Sequence, residues 1–218
     1  MSISWAELNK RCRRESDYIL TALIINRISL VITWALIPLR IHPNFITFFS
    51  IFTGFASGAA FATGNAWAGA ILVLVSHILD CTDGNLARAT DKFSPLGRLL
   101  DWVSDRLVEL ALFGGAGWLL VQSTGDCEWL LFSMISFGFV QTYYYLVDAA
   151  PRAGTAERTT VIGSTRYGTK IKIGLFEPVL YGFVFLGPLN LLNIQIIAAG
   201  TTALIGLIYQ IISRSRSS

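Results

Sequence analysis

The chain has 218 residues, 53% of them hydrophobic and only 14% charged, with a formal net charge of +3 and a mean hydropathy of +0.57. A soluble domain carries roughly 25% charge, so the surface is expected to face lipid, and the long apolar runs settle what composition leaves open. Three cysteines, Cys12, Cys81 and Cys127, have no metal-ligand spacing, and their odd number excludes a disulfide framework.

The N-terminal stretch Met1–Tyr18 is polar and lacks a small-residue cleavage site, so no cleavable leader is expected. Ile19–Leu39 is apolar but interrupted by Asn26 and Arg27, closed by Pro38, and flanked by Lys10, Arg11, Arg13, Arg14 and Arg40. An amphipathic helix lying at the membrane interface fits these flanks. Pro43 follows His42 and starts the first membrane span.

A span needs about 20 mostly apolar residues. Six such runs are read at roughly Asn44–Thr63, Ala66–Leu79, Leu107–Val121, Trp129–Val147, Ile173–Gly187 and Leu191–Ile212. The second and third are short as apolar runs; continued through the polar segment between them, they become helices of about 25 residues. The expected fold is therefore all-α and polytopic: residues 1–41 form a cytoplasmic N-terminus with an interfacial helix, and residues 42–218 form one six-helix transmembrane domain.

With the N-terminus cytoplasmic, the outer connections fall near Gly64–Asn65, Gln122–Glu128 and Gly187–Asn190, and none contains Lys or Arg. All 17 basic residues then lie at the cytoplasmic side, which is the positive-inside bias without exception. A seventh span at Ile19–Leu39 would break it. Gly54 with Gly58, and the group Gly114, Gly115 and Gly117, permit close helix contact, either inside one subunit or across a homodimer seam. The longest polar loop, Ala149–Thr169, is cytoplasmic in this arrangement.

The informative segment joins the second and third spans. It reads Asp80-Cys-Thr-Asp83-Gly84-Asn-Leu-Ala87-Arg88, then eight residues, then Gly97-Arg-Leu-Leu-Asp101-Trp-Val-Ser-Asp105. Asp80 and Asp83 share one helix face, and Asp101 and Asp105 share a face of the next helix. A short turn near Lys92–Pro95 makes the helices antiparallel neighbours, so the pairs can converge. Four carboxylates at a membrane boundary repel one another, and burying them without partners costs several kcal/mol. Divalent cations remove that conflict. Oxygen ligands without accompanying His or Cys favour Mg²⁺, Mn²⁺ or Ca²⁺, and Arg88 nearby points to a diphosphate. Gly84 lets a ligand approach the backbone. Gly97 lies at the positive end of the second helix dipole, which favours phosphate.

These residues resemble the CDP-alcohol phosphotransferase family, whose pattern is D-x-x-D-G-x-x-A-R, eight residues, G-x-x-x-D-x-x-x-D. Asp80, Asp83, Gly84, Ala87, Arg88, Gly97, Asp101 and Asp105 match every fixed position, and the Pro43-Asn44 start of span one is also similar to the family's. The resemblance implies a metal-dependent transferase that displaces CMP from a CDP-linked alcohol, usually CDP-diacylglycerol, by the hydroxyl of a second alcohol, as in phospholipid biosynthesis. It implies that Asp80, Asp83 and Asp101 hold two ions, Mg²⁺ or Mn²⁺. Asp105 would touch the second ion or act as general base. Asp80, Asp83, Gly84, Ala87, Arg88 and Gly97 would form the CDP site.

The acceptor is not named by the motif. Arg152, Arg158, Arg166, Lys170 and Lys172 cluster on the side of the aspartates and could bind a phosphorylated alcohol, or serve the positive-inside bias and anionic headgroups. His77, one turn before Asp80, is read as a polar contact within the bundle. Glu109 would extend the polar face or pair with an arginine. Glu177 would pair with a base or line the acceptor cavity. Tyr143, Tyr144 and Tyr145 are read as an interface belt. Two other functions compete: a choline or ethanolamine phosphotransferase with diacylglycerol as acceptor, and a cation or lipid transporter using the aspartates as its binding site. The expected partners are CDP-diacylglycerol or another CDP-alcohol, a small alcohol, membrane lipid and a second copy of the chain in a homodimer, with no nucleic acid. The expected location is the cell (inner) membrane.

Overall fold

The structure is a computed structural model that describes residues 3–149, 160–165 and 169–215. A short helix α1 (Trp5–Arg11) leads through strand β1 (Ser16–Tyr18) into a π-helical turn, Thr21–Ile25, which continues as α2 (Asn26–Leu36) and ends in a 3₁₀ turn. Two long antiparallel helices follow, α3 (Pro43–Ala62) and α4 (Ala66–Thr90), then α5 (Pro95–Thr124) and α6 (Glu128–Ala149). Strands β2 (Thr160–Ser164) and β3 (Lys170–Ile173) precede α7 (Phe176–Leu186) and α8 (Leu192–Ser215).

Local chemistry sets the helix ends. His42 caps α3 ahead of Pro43, and Asn65 caps α4 by accepting from the Ala68 amide at 3.1 Å. Asp91 stops α4 in the left-handed conformation, Ser94 accepts from the Gly97 amide at 2.9 Å, and Pro95 opens α5 with the φ a first turn requires. The aspartate motif thus straddles one tight turn between two long helices, as its spacing predicts.

In lipid, helices are held less by hydrophobicity than by close backbone approach and interhelical hydrogen bonds. Both operate here. A Cβ on Gly54 would overlap Val108 of α5, one on Gly58 would overlap the Ala111 carbonyl, and one on Gly115 would overlap the Gly58 backbone. A Cβ on Gly117 would overlap the Ser133 side chain of α6. These four glycines are used inside one subunit. Ser50 and Ser76 donate to each other's carbonyl at 2.9 Å, joining α3 to α4, and Ser57 donates to the Gly69 carbonyl at 2.8 Å. On the far side of α5, Phe113 meets Phe183 of α7 edge-on at 5.1 Å, and Val140 and Ile196 complete that buried core. Large apolar side chains such as Phe48, Phe52, Trp67 and Ile205 face outward.

By length and composition, five helical segments among the described residues are able to cross a membrane: Thr21–Leu39, Pro43–Ala62, Ala66–Thr90, Pro95–Thr124 and Leu192–Ser213. Thr21–Leu39, expected from its flanking charges to lie at the interface, is among them, so apolar length does not separate the two placements. The run expected to span at Ile173–Gly187 is an α7 of only 11 residues, about 17 Å long against a hydrocarbon core of about 30 Å. It is shorter than the expected run because Ile173 ends strand β3 and the helix begins only at Phe176. β3 pairs in parallel with β1 (Ser16 with Lys170, Tyr18 with Lys172) and antiparallel with β2, in the order β1-β3-β2. Three strands so short and distant in sequence give no alternating pattern to read.

Gly58→Leu must force α3 from α5 against backbone, a cost of about 1–3 kcal/mol or more. We expect a lower thermal midpoint in detergent, with Gly138→Leu, which has open space around it, unchanged within error by the same fluorescence melt.

Candidate metal and phosphate site

Asp80 and Asp83 lie on consecutive turns of α4, and Asp101 lies on the second turn of α5. Carboxylate oxygens of these three residues all fall within 4.8 Å of one another. Asp83 is 5% exposed, and its Oδ2 is buried without a hydrogen-bond partner among the described residues. None of the four motif aspartates forms an ion pair among the described residues, so the arginines nearby do not neutralise them directly. Three converging hard oxygen donors, one of them orphaned, suit Mg²⁺ or Mn²⁺. Asp105 lies one turn further along α5. It is outside that group of three, half-buried, and within electrostatic reach of Asp101 and Glu109.

A cleft opens beside the triad, and its walls include Asp83, Gly84, Ala87, Arg88, Gly97 and Asp101. Six of the eight motif positions therefore share one cavity. Its remaining lining includes Pro43, Asn44 and Thr47 from the start of α3, and Lys92, Phe93 and Ser94 from the turn. A Cβ on Gly97 would sit 3.3 Å from Asn44 Oδ1, which is where the Pro-Asn start of α3 meets the motif. Sequence reasoning missed Thr47 and Ser94 as cleft residues, since neither belongs to the spaced pattern.

Arg88 is aimed by its neighbour. Its Nη2 donates to Asn85 Oδ1 at 2.7 Å, while Asn85 Nδ2 donates to Asn26 Oδ1 at 2.9 Å and Ser29 Oγ at 2.8 Å. Asn85 is fully buried, so the polar face of α2 fixes the rotamer of a motif arginine through one amide. The polar Asn26 and Ser29 in an apolar stretch were the available signal.

The other expected residues divide. Lys170 is exposed, and Lys172 places Nζ 4.5 Å from the centroid of the Tyr18 ring, a cation–π contact across the strand pair. Arg152, Arg158 and Arg166 lie outside the described residues, as does the side chain of Arg98. His77 is buried, with Nε2 3.2 Å from Thr21 Oγ1, the expected bundle contact; it also lies in ligand reach of Asp80 and Cys81. Glu109 pairs with Arg106 at 3.5 Å and accepts from Gln141. Glu177 has no ion pair among the described residues. It accepts instead from the Thr21 amide at 2.7 Å and the Thr21 hydroxyl at 3.1 Å, because the N-terminus of a helical turn offers free N–H groups. Tyr144 does not act only as an interface residue: the Arg106 guanidinium lies 4.8 Å from its ring centroid.

The family model described as CDP-alcohol phosphatidyltransferase matches residues 40–211. An archaetidylinositol phosphate synthase of Pyrococcus horikoshii is 30% identical over 152 residues, covering 70% of this chain and 76% of its own. The fold is similar to the crystal structure of Mycobacterium tuberculosis phosphatidylinositol phosphate synthase with CDP-DAG bound, at a TM-score of 0.65 and 21% identity over 85% of this chain and 92% of that one. It is also similar to that protein in complex with manganese and citrate, at a TM-score of 0.64 and 20% identity over 84% and 87%. At these identities the two structures speak for the fold.

Removing one of three converging ligands weakens a hard-metal site steeply. Asp83→Asn is expected to lower Mn²⁺ affinity by about tenfold or more, read by electron paramagnetic resonance titration, while Lys92→Gln at the cleft rim leaves it within about twofold.

Proposed function

This chain belongs to the CDP-alcohol phosphatidyltransferase family, an integral membrane transferase, and on that premise we propose that it moves the phosphatidyl group of CDP-diacylglycerol to the hydroxyl of a phosphorylated polyol. One observation carries the reading: three carboxylates of two motif helices converge beside a cleft lined by Gly84, Ala87, Arg88 and Gly97. The acceptor class follows from the relatives, named an archaetidylinositol phosphate synthase and a phosphatidylinositol phosphate synthase, and from the basic residues that precede α7.

Asp80, Asp83 and Asp101 would hold two divalent ions, Mg²⁺ or Mn²⁺, with Asp105 beside the second. When bound, these ions would polarise the phosphoryl oxygens and offset charge on the departing CMP. Arg88, oriented by Asn85, meets the diphosphate. Gly84, Ala87 and Gly97 keep the nucleotide's path free of bulky side chains. Asp105 accepts the hydroxyl proton as the acceptor oxygen bonds to phosphorus and the bond to CMP breaks. Arg152, Arg158, Arg166, Lys170 and Lys172 hold the acceptor's phosphate. The site faces the cytoplasm of the cell membrane, because the positive-inside bias puts every basic residue on the side of the motif. Residues 42–218 form the catalytic domain, with residues 1–41 packed against it.

Purified protein with Mg²⁺ and CDP-diacylglycerol is expected to release CMP when given inositol phosphate, and chelation by EDTA is expected to stop it. CMP released only from CDP-choline or CDP-ethanolamine would overturn the reading. Asp105→Asn should lose about 10²–10⁴-fold in turnover, the range for a general base, with Mn²⁺ binding at the Asp80, Asp83 and Asp101 group kept.

A further inference from the structure

The N-terminal segment lies against the motif helix. Leu8 and Cys12 are buried with Ala89 and Leu30; Cys12 Sγ donates to the Asn85 carbonyl at 3.3 Å, and Arg11 Nη1 reaches Asp91 Oδ2 at 3.3 Å. β1 is then anchored to β3, where the Lys170 amide donates to the Glu15 carbonyl at 2.9 Å. Between these two attachments sits Arg14.

Arg14 is held from one side. Its Nη1 pairs with Asp17 Oδ2 at 3.2 Å; Asp17 is 4% exposed and also accepts from the Tyr18 amide at 3.0 Å. The guanidinium lies within electrostatic reach of Asp80 and against Cys81, and its Nε is buried with no partner among the described residues. Arg88 is in the same condition: its Nε is buried without a partner, and Arg14 is one of the charges acting on it. Each guanidinium thus lies within electrostatic reach of the other and of Asp80, and each keeps a buried Nε without a partner among the described residues. Asp17 binds one edge of Arg14 and Asn85 one edge of Arg88. Arg88 lines the cleft beside the aspartates, and a second guanidinium within electrostatic reach of it suits an anion, since guanidinium groups take phosphate oxygens through paired N–H donors.

We propose that Arg14, which lies outside both the aspartate motif and the matched family region, is a phosphate-binding residue of the active site, forming with Arg88 a two-guanidinium subsite beside Asp80. This rests on the transferase reading above. The phosphate belongs either to the donor's diphosphate or to the acceptor's monoester. The bland alternative is that Arg14 only offsets the charge of Asp80 and Asp17.

The test uses the full chain in lipid nanodiscs with Mg²⁺, measuring CMP release as CDP-diacylglycerol and inositol phosphate are varied in turn. Arg14→Gln is expected to raise the KM of one substrate by about tenfold or more, Arg14→Lys to raise it less, and Lys10→Gln, an exposed neighbour, to raise neither. A rise for CDP-diacylglycerol, with weaker binding of CDP but not CMP, assigns the donor's phosphate. A rise for inositol phosphate alone assigns the acceptor's. Both KM values unchanged, or a loss of Mn²⁺ affinity in step with activity, would overturn the proposal in favour of charge balance. If Arg14→Gln does not fold, unchanged KM values in Arg14→Lys overturn it equally. Should the wild type release no CMP from CDP-diacylglycerol with any acceptor, the transferase reading fails. The subsite is then judged by pyrophosphate binding, which Arg14→Gln must weaken by about tenfold if the proposal stands.

Discussion

Three carboxylates brought within 4.8 Å at the seam of α4 and α5 repel one another in a medium that screens charge poorly. Everything around them serves to hold that arrangement. α3 supports both helices at once. Toward α4 it uses the reciprocal Ser50–Ser76 bonds and the Ser57 bond to the Gly69 carbonyl, and toward α5 it uses the bare backbones of Gly54 and Gly58. A scaffold of this kind does not depend on apolar burial, which gives little advantage to helices already surrounded by hydrocarbon.

The second layer of support comes from the N-terminal region, which a motif-centred view leaves out. α2 is apolar on its outer face, where Ile28, Val31 and Trp34 are exposed, and polar where it meets α4. Its Asn26 and Ser29 grip Asn85, and Asn85 grips Arg88. The π-helical turn ahead of it is tied to α7 through Thr21 and Glu177, with His77 of α4 on the same hydroxyl. A chain of buried polar contacts therefore runs from α7 through the N-terminal turn to α4, one turn from Asp80. Such a network is stable in a membrane because its members satisfy one another.

The small sheet ties the N-terminal segment to the segment ahead of α7. By pairing β1 with β3 it places residues 16–18 beside residues 170–173, so the segment bearing Lys170 and Lys172 is anchored to the segment bearing Arg14. The cation–π contact of Lys172 with Tyr18, and the stacking of Tyr18 on Phe176 at 5.4 Å, carry that anchoring to the first turn of α7. Strand pairing between segments distant in sequence gives these short stretches a fixed position that neither has alone.

The amino-acid sequence determined the membrane class, the two long motif helices, the tight turn between them and the convergence of Asp80, Asp83 and Asp101. Each of these follows from periodicity or spacing along one or two adjacent helices: i to i+3 contacts, apolar run length, and Ser94-Pro95 as a helix start. The aspartate pattern also carried the family. Tertiary structure decided what depends on distant segments meeting: the strand pairing ahead of α7, Asn85 as the residue that aims Arg88, a backbone amide rather than a cation as the partner of Glu177, and Arg14 within electrostatic reach of Asp80. The glycines show the same divide within one feature. Their small size marked them for close contact, but whether that contact lay inside a subunit or between subunits was a question of which helix faces met, and one-dimensional spacing holds no information on that.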